Sequence, residues 1–205
     1  MIVTVITGDV IHSRKTPPKV WLSLLESALQ KYGAKGKKWR IYRGDSFQLE
    51  VGLDKVFEAL FYIKTTMRTQ KMLDVRMAVG IGEKAYTGKS ITTSNGEAYI
   101  FSGESFDNLK NHTFAIKTAW SDLNEQLNLI LEMAILIVEK WNVNISHIVK
   151  IAMENPHLIQ SELAENLGKK QFNVSRDLRK ANYEAVLKTI HYCTKIIIEK
   201  CSHLS

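Results

Sequence analysis

The sequence predicts an α+β fold, a sheet domain followed by a helical one, and three observations carry that reading. Short β-branched or alternating runs recur at 2–6, 47–51 and 75–81. Apolar residues at helical spacing fill the stretches between them. From Ser121 onward every strong apolar pattern is helical. The first part therefore reads as a mostly antiparallel sheet with helices on one face, and the second as an all-α unit. The boundary falls near Trp120 to Asp122, giving domains at 1–120 and 121–205, with no Gly-rich or Pro-rich linker between them.

Taken in order, Ile2-Val3-Thr4-Val5-Ile6 reads as a buried strand that Gly8 ends. Pro17-Pro18 suit a helix start, and Val20, Leu24, Leu25, Ala28 and Leu29 recur at helical spacing until Gly33 and Gly36. Trp39 to Tyr42 and Phe47 to Val51 flank Arg43-Gly44-Asp45-Ser46, so the pair reads as a hairpin with Gly-Asp in its turn. Asp54 is the expected N-cap of a second helix carrying Val56, Leu60, Ile63 and Met67. Val75, Met77, Val79 and Ile81 alternate with Arg76, Ala78 and Gly80, and Gly82 closes that strand. A helix over 94–109 and a strand over 113–117 complete the order β-α-β-β-α-β-α-β.

The composition excludes several classes. Two cysteines, Cys193 and Cys201, are too few for a disulfide framework, and with His191 and His203 they match no zinc spacing, so inert thiols in a cytoplasmic protein are expected. The opening Met1 to Ile6 lacks the basic flank and length of a secretory signal. Leu127 to Val138 is interrupted by Glu132 and falls short of the roughly 20 residues that span a bilayer, so no membrane partner is expected. The net charge of +7 lies in the first part, where residues 1–120 hold 18 Lys and Arg against 11 Asp and Glu; residues 121–205 hold 10 of each. Such an excess favours an anionic partner.

Two Asp-bearing segments stand out, Thr7-Gly8-Asp9 and Arg43-Gly44-Asp45-Ser46. Two carboxylates at neighbouring strand tips supply hard oxygen ligands for magnesium, with Asp9 and Asp45 as the candidate metal ligands. Gly8 and Gly44 would let backbone approach a phosphate, and Ser13, Arg14 and Arg43 would supply a hydroxyl and guanidinium groups to it. The competing reading is that Gly-Asp is an ordinary turn dipeptide.

The second half carries a different signal. Gln160 to Gly168 fits the first helix and turn of a helix-turn-helix, with Ala164 small for helix crossing and Gly168 in the turn. Gln171 to Lys180 fits the recognition helix, with Val174 and Leu178 facing inward. That rotation leaves Lys170, Gln171, Asn173, Ser175, Arg176 and Arg179 for a DNA groove. Lys169 and Asp177 stand where apolar residues are usual in such units. Tyr183, Val186, Leu187, Ile190, Tyr192, Ile196 and Ile197 prolong a helical stripe that either forms a homodimer through 183–198 or closes the core against Leu127 to Trp141.

The order of the first segments resembles the class III nucleotidyl cyclases and their relatives with a GGDEF-type palm, over roughly residues 2–110. That resemblance implies a ferredoxin-like, nucleotidyl-cyclase-like sheet and assigns metal binding to Asp9 and Asp45. In the cyclase pattern a glycine is followed four residues on by Asn and four further by Arg. Aligned on Gly96, those positions hold Ile100 and Glu104, and Glu104 would repel the charge that Arg neutralises. Across the whole chain, ITGDVIHSR (6–14), YRGDSFQLEV (42–51), LDVRMAVGIGEK (73–84) and NGEAYIFSGESFD (95–107), with the helix-turn-helix tail, resemble the SatD family of bacterial proteins. That resemblance implies a DNA-binding or regulatory protein. The expected function is thus a transcriptional regulator with a non-cyclising nucleotide or anion sensor. The rivals are an active magnesium-dependent cyclase or transferase, and an interaction module in which both sites are vestigial.

Overall fold

The computed structural model describes residues 1–110 and 112–202 and has the α+β architecture. Strand β1 (Ile2–Ile11) lies in the middle of the sheet. It pairs antiparallel with β3 (Ser46–Val51) on one side and β4 (Asp74–Tyr86) on the other. Strand β2 (Trp39–Tyr42) adds outside β3. With helices α1 (Pro18–Gln30) and α2 (Val56–Met67), these strands form a β-α-β-β-α-β unit of spatial order 2-3-1-4, the split βαβ arrangement. Beyond β4, the short β5 (Asn95–Gly96) pairs antiparallel with its far end, and β6 (Phe114–Lys117) pairs parallel with its near end. Helix α3 (Glu97–Asp107) joins them.

Strand alternation divides the sheet into two faces. Ile6, Val10, Phe47, Leu49, Val75, Met77 and Val79 pack with α1 and α2 in the main core. Val3 and Val5 pack separately with Ile91, Ala98 and Tyr99 beneath α3. The expectation of helices on one face thus holds for α1 and α2, while α3 covers the other. The cause is a row of small residues, Ala78, Gly80 and Gly82, on that face of β4. A Cβ on Gly80 would lie 2.0 Å from the Ala98 carbonyl oxygen.

The same geometry corrects two strand ends. Gly8 and Gly82 do not stop β1 and β4; both ladders run on, to Ile11 and Tyr86. A Cβ on Gly8 would meet the Phe47 ring at 2.6 Å, so this glycine makes room for a core aromatic. Asp54 does not cap α2 either, because that helix starts after Lys55 and has no side-chain cap.

The helical half comprises α4 (Ser121–Val138), α5 (Val143–Glu154), α6 (Gln160–Asn166), α7 (Gln171–Lys180) and α8 (Tyr183–Ser202). Its core is continuous with that of the sheet, from Ile6 and Leu60 through Leu127, Trp141 and Val149 to Ile197. Helix α2 is the hinge of this packing. It is buried almost all round, as a helix between a sheet and other helices must be. Even Lys64 is wholly buried, with its ammonium 2.8 Å from Asp74. Burial pulls the Lys64 pKa down while Asp74 opposes the shift. Among the described residues no helix is long and apolar enough to cross a membrane.

Candidate functional site

The β1–β3 register brings the two sequence-predicted carboxylates to one rim of the sheet. Asp9 faces Ser46 on β3 and Arg76 on β4, and the Val10 amide donates to the Asp45 carbonyl at 3.2 Å. Asp45 sits in the β2–β3 turn, where Arg43 (φ 48°) and Gly44 (φ 88°) both take left-handed backbone. Nothing lies within 4 Å of a Cβ built on Gly44, so glycine is required there by conformation and not by crowding.

Both carboxylates are already engaged. Arg76 grips Asp9 as a fork, Nε to Oδ1 at 3.1 Å and Nη2 to Oδ2 at 2.5 Å. The Ser13 hydroxyl donates to Asp45 Oδ2. The Arg76 pKa is raised by the Asp9 hydrogen bonds, against partial burial, and further by the Asp9 and Asp45 charges. Its guanidinium also lies 5.7 Å from the centre of the Phe106 ring on α3. Arg76 was not among the residues the sequence singled out. The only signal for it was a lone charge on the strand face otherwise given to Ala78 and Gly80.

A magnesium ion at this pair would have to compete with Arg76 for Asp9, because both Asp9 oxygens are held by the Arg76 fork. Gly8, expected beside a phosphate, lies under Phe47 in the core instead. Arg14 and Arg43 are exposed at the rim, and left-handed His12 (φ 63°) turns the chain into the short 3₁₀ turn Ser13–Lys15. The rim therefore offers exposed cations around two carboxylates, of which Asp9 is paired with Arg76 and Asp45 accepts from the Ser13 hydroxyl. Ile100 and Glu104 lie on the outer side of α3, where Glu104 bonds Lys117 at 2.5 Å.

The second candidate site is built by α6, its turn and α7. Gly168 (φ 60°) ends α6, and the Lys169 amide reaches back to the Ala164 carbonyl at 2.9 Å, closing the helix in the Schellman manner. Ala164, Val174 and Leu178 are buried as the sequence predicts. Lys170, Gln171, Arg176 and Arg179 are exposed, whereas Asn173 and Ser175 are half-buried. Phe172, which the sequence reading passed over, is 71% exposed amid this face, with the Arg176 guanidinium 6.0 Å from its ring.

Lys169 and Asp177 have a common explanation. Lys169 Nζ donates to Asn144 Oδ1 at 2.7 Å, and Asn144 Nδ2 donates to Asp177 at 3.3 Å. A polar bridge from the first turn of α5 thus replaces the apolar packing usual at these two positions.

One arginine ties the two halves together. Arg68, at the end of α2, bonds Asp74 and donates at 2.8 Å to the carbonyls of both Glu139 and Trp141. Trp141 Nε1 in turn donates to the Ala181 carbonyl at 2.9 Å, just beyond α7. The inner face of α8, with Val186, Ile190, Cys193 and Ile197, belongs to the chain's own core. Burial raises the Cys201 pKa and pushes that of Cys193 up to about 12, which keeps both thiols protonated and unreactive. His203 lies outside the described residues.

No protein-family model matches this chain, and a search of curated proteins returns no relative. The two sites must be read from their own chemistry.

Proposed function

We propose that this protein is a DNA-binding regulator that reads DNA through α7 and senses a nucleotide or related anion at the Asp9 and Asp45 rim without cyclising it. The observation that carries the reading is the outer face of α7. Gln171, Phe172, Arg176, Arg179 and Lys180 are exposed together on a helix held by a glycine turn. Side chains of these kinds hydrogen-bond base edges, pair with phosphates or pack on thymine methyl groups. Retention of a random duplex at low salt tests it. Wild type should bind, binding should fall as salt rises, and Arg176→Ala should weaken it. Absence of retention at low salt would remove the proposal.

At the rim, an anion would be drawn by Arg14 and Arg43 and would compete with Asp9 for the Arg76 fork. The same rim lies two residues along β1 from Ile11, which pairs with Asp74, the partner of Arg68. A change in the Arg76–Asp9 pair can therefore reach α7 through Arg68, Trp141 and Ala181. A thermal-shift screen with nucleotides tests the sensor. A homodimer would serve two half-sites, and the inner face of α8 is not free to form it.

The alternative is a metal-dependent nucleotidyl cyclase or transferase with the helical half as a tether, and it rests on Asp9 and Asp45 sharing one rim. It requires Arg76 to leave Asp9. Pyrophosphate released from a nucleoside triphosphate with magnesium or manganese, and lost in Asp45→Asn, would establish it.

A further inference from the structure

The net excess of +7 lies in residues 1–120, outside α7, and its placement there is uneven. Of the 18 Lys and Arg in that part, nine make no ion pair among the described residues. Five of the nine stand exposed along the outer edge of the sheet. Lys37, Arg40 and Arg43 come from β2 and its two flanks. Lys89 joins them at one end, where the Ile91 amide donates to the Gly36 carbonyl at 3.0 Å. Arg14 joins them at the other, next to Ser13, whose hydroxyl donates to Asp45. Of the carboxylates that approach this row, Glu26 is held by Lys35, and Glu50 by Lys38 and Lys84. Asp45 and Asp107, whose charge reaches Tyr42, have no ion pair. Five free cations thus outnumber two free carboxylates.

Between the two ends is a hollow of about 550 Å³ lined by Arg40, Ile41, Tyr42, Arg43, Gln48 and Thr92, with no carboxylate among the described residues of its wall. Strand alternation puts Arg40, Tyr42 and Gln48 on the face opposite buried Trp39 and Phe47. Helix α3 covers that face over β1 and β4 and leaves it open over β2. Arg40 donates at 3.5 Å to the Thr92 hydroxyl, a neutral partner that leaves its charge uncompensated. The hollow therefore presents two guanidinium groups, one half-buried aromatic ring and the neutral hydrogen-bonding groups of Gln48 and Thr92. The row of cations runs past it at both ends, which suits a chain of phosphates more than a single one. An aromatic ring set among such cations is a platform for an unpaired base.

We propose that this edge binds single-stranded nucleic acid, with backbone phosphates on Arg40, Arg43 and Lys89 and a base against Tyr42. Only a strand whose bases are splayed out can bring one to a half-buried ring on a sheet, so a duplex does not fit. The site shares Arg43 with the rim but rests on neither the rim sensor nor the α7 reading.

The test titrates the full chain with a labelled oligothymidylate of about 12 nucleotides and with an abasic oligomer of the same length. The oligothymidylate should bind at low salt, with a log–log salt slope of about −0.7 for each phosphate engaged. Arg40→Ala with Lys89→Ala, both at exposed positions, should shrink that slope by about 1.4. Tyr42→Ala should weaken the oligothymidylate at least about fivefold, and Tyr42→Phe, which keeps the ring, should bind as wild type does. If Tyr42→Ala does not fold, the abasic oligomer carries the same test, since it should bind at least about fivefold more weakly. Absence of binding at low salt, an unchanged slope in the edge variant, or an unchanged affinity in Tyr42→Ala would overturn the proposal. Equal binding of the abasic oligomer would mark the edge as a general polyanion surface and overturn it too. So would a larger loss in Arg179→Ala with Lys180→Ala than in the edge variant, because the strand would then lie on α7. If the oligothymidylate binds through the edge and no duplex is retained, the α7 reading fails while the edge stands.

Discussion

The sheet rim and the helix α7 carry the same kinds of side chain and dispose of them in opposite ways. At the rim and on the adjoining sheet face the carboxylates are satisfied inside the chain, Asp9 by Arg76, Asp45 by the Ser13 hydroxyl and Glu50 by Lys38, Lys84 and Tyr99, while Arg14 and Arg43 stay exposed. On α7, Arg179 and Lys180 are exposed and make no ion pair among the described residues. A carboxylate paired inside the chain is not available to a partner, whereas exposed cations, on α7 or at the rim, are available to an anion. The difference teaches that charge pattern alone does not locate function; what matters is whether the partner charge is already present.

The largest effect that would sharpen this contrast lies at Glu50. Glu50→Ala leaves Lys84, 12% exposed, without its carboxylate, and should cost about 3–5 kcal/mol in urea unfolding. A loss below about 1 kcal/mol would mean that the internal charges are not structural. The same group predicts an acid limb. Burial acts to raise the Glu50 pKa, but the bonds from Lys38, Lys84 and Tyr99 prevail and hold it at about 2, below the ordinary 4.5. Its contribution, on the order of 3 kcal/mol, is therefore complete above about pH 4.5 and lost as pH falls toward 2. Glu50→Gln should flatten that limb, and an unchanged acid transition would contradict the assignment.

Arg76→Ala breaks a fork that is only partly shielded from solvent, so its stability cost should be about 1 kcal/mol. It should also abolish any thermal shift produced by a nucleotide at the rim. A shift that survives would move the anion site elsewhere. The smallest effect is expected at Phe172. Because its side chain is exposed, Phe172→Ala should change stability by less than about 0.5 kcal/mol while still reducing DNA retention. Equal DNA binding by the variant would remove Phe172 from the interface.

Much of the fold was legible in the sequence because burial on one side imposes a period. Val75, Met77 and Val79 announced β4, and Val174 with Leu178 fixed the rotation of α7. What was not legible depended on partners distant in the chain. Gly8 and Gly82 looked like strand ends, but each is small because Phe47 or α3 presses on it. The placement of α3 on the second face follows from that groove and not from its own pattern. At the rim, Asp9 and Asp45 could be found from sequence. The hold of Arg76 on Asp9 could not, since it exists only through the β1–β4 register. Likewise Lys169 and Asp177 looked like flaws in a helix-turn-helix until Asn144, 25 residues before Lys169, was seen to bridge them.

The central claim is that the free cations of α7 meet DNA while the internally paired charges of the sheet do not. It is tested most directly by measuring duplex retention against salt for wild type, for Arg179→Ala with Lys180→Ala, and for Arg76→Ala. The expected result is a wild-type affinity that falls with salt. In the α7 double variant the log–log slope should shrink by about 0.9 for each phosphate contact removed, and in Arg76→Ala it should not change. A slope that is the same in wild type and the α7 double variant, or one that shrinks only in Arg76→Ala, would contradict it.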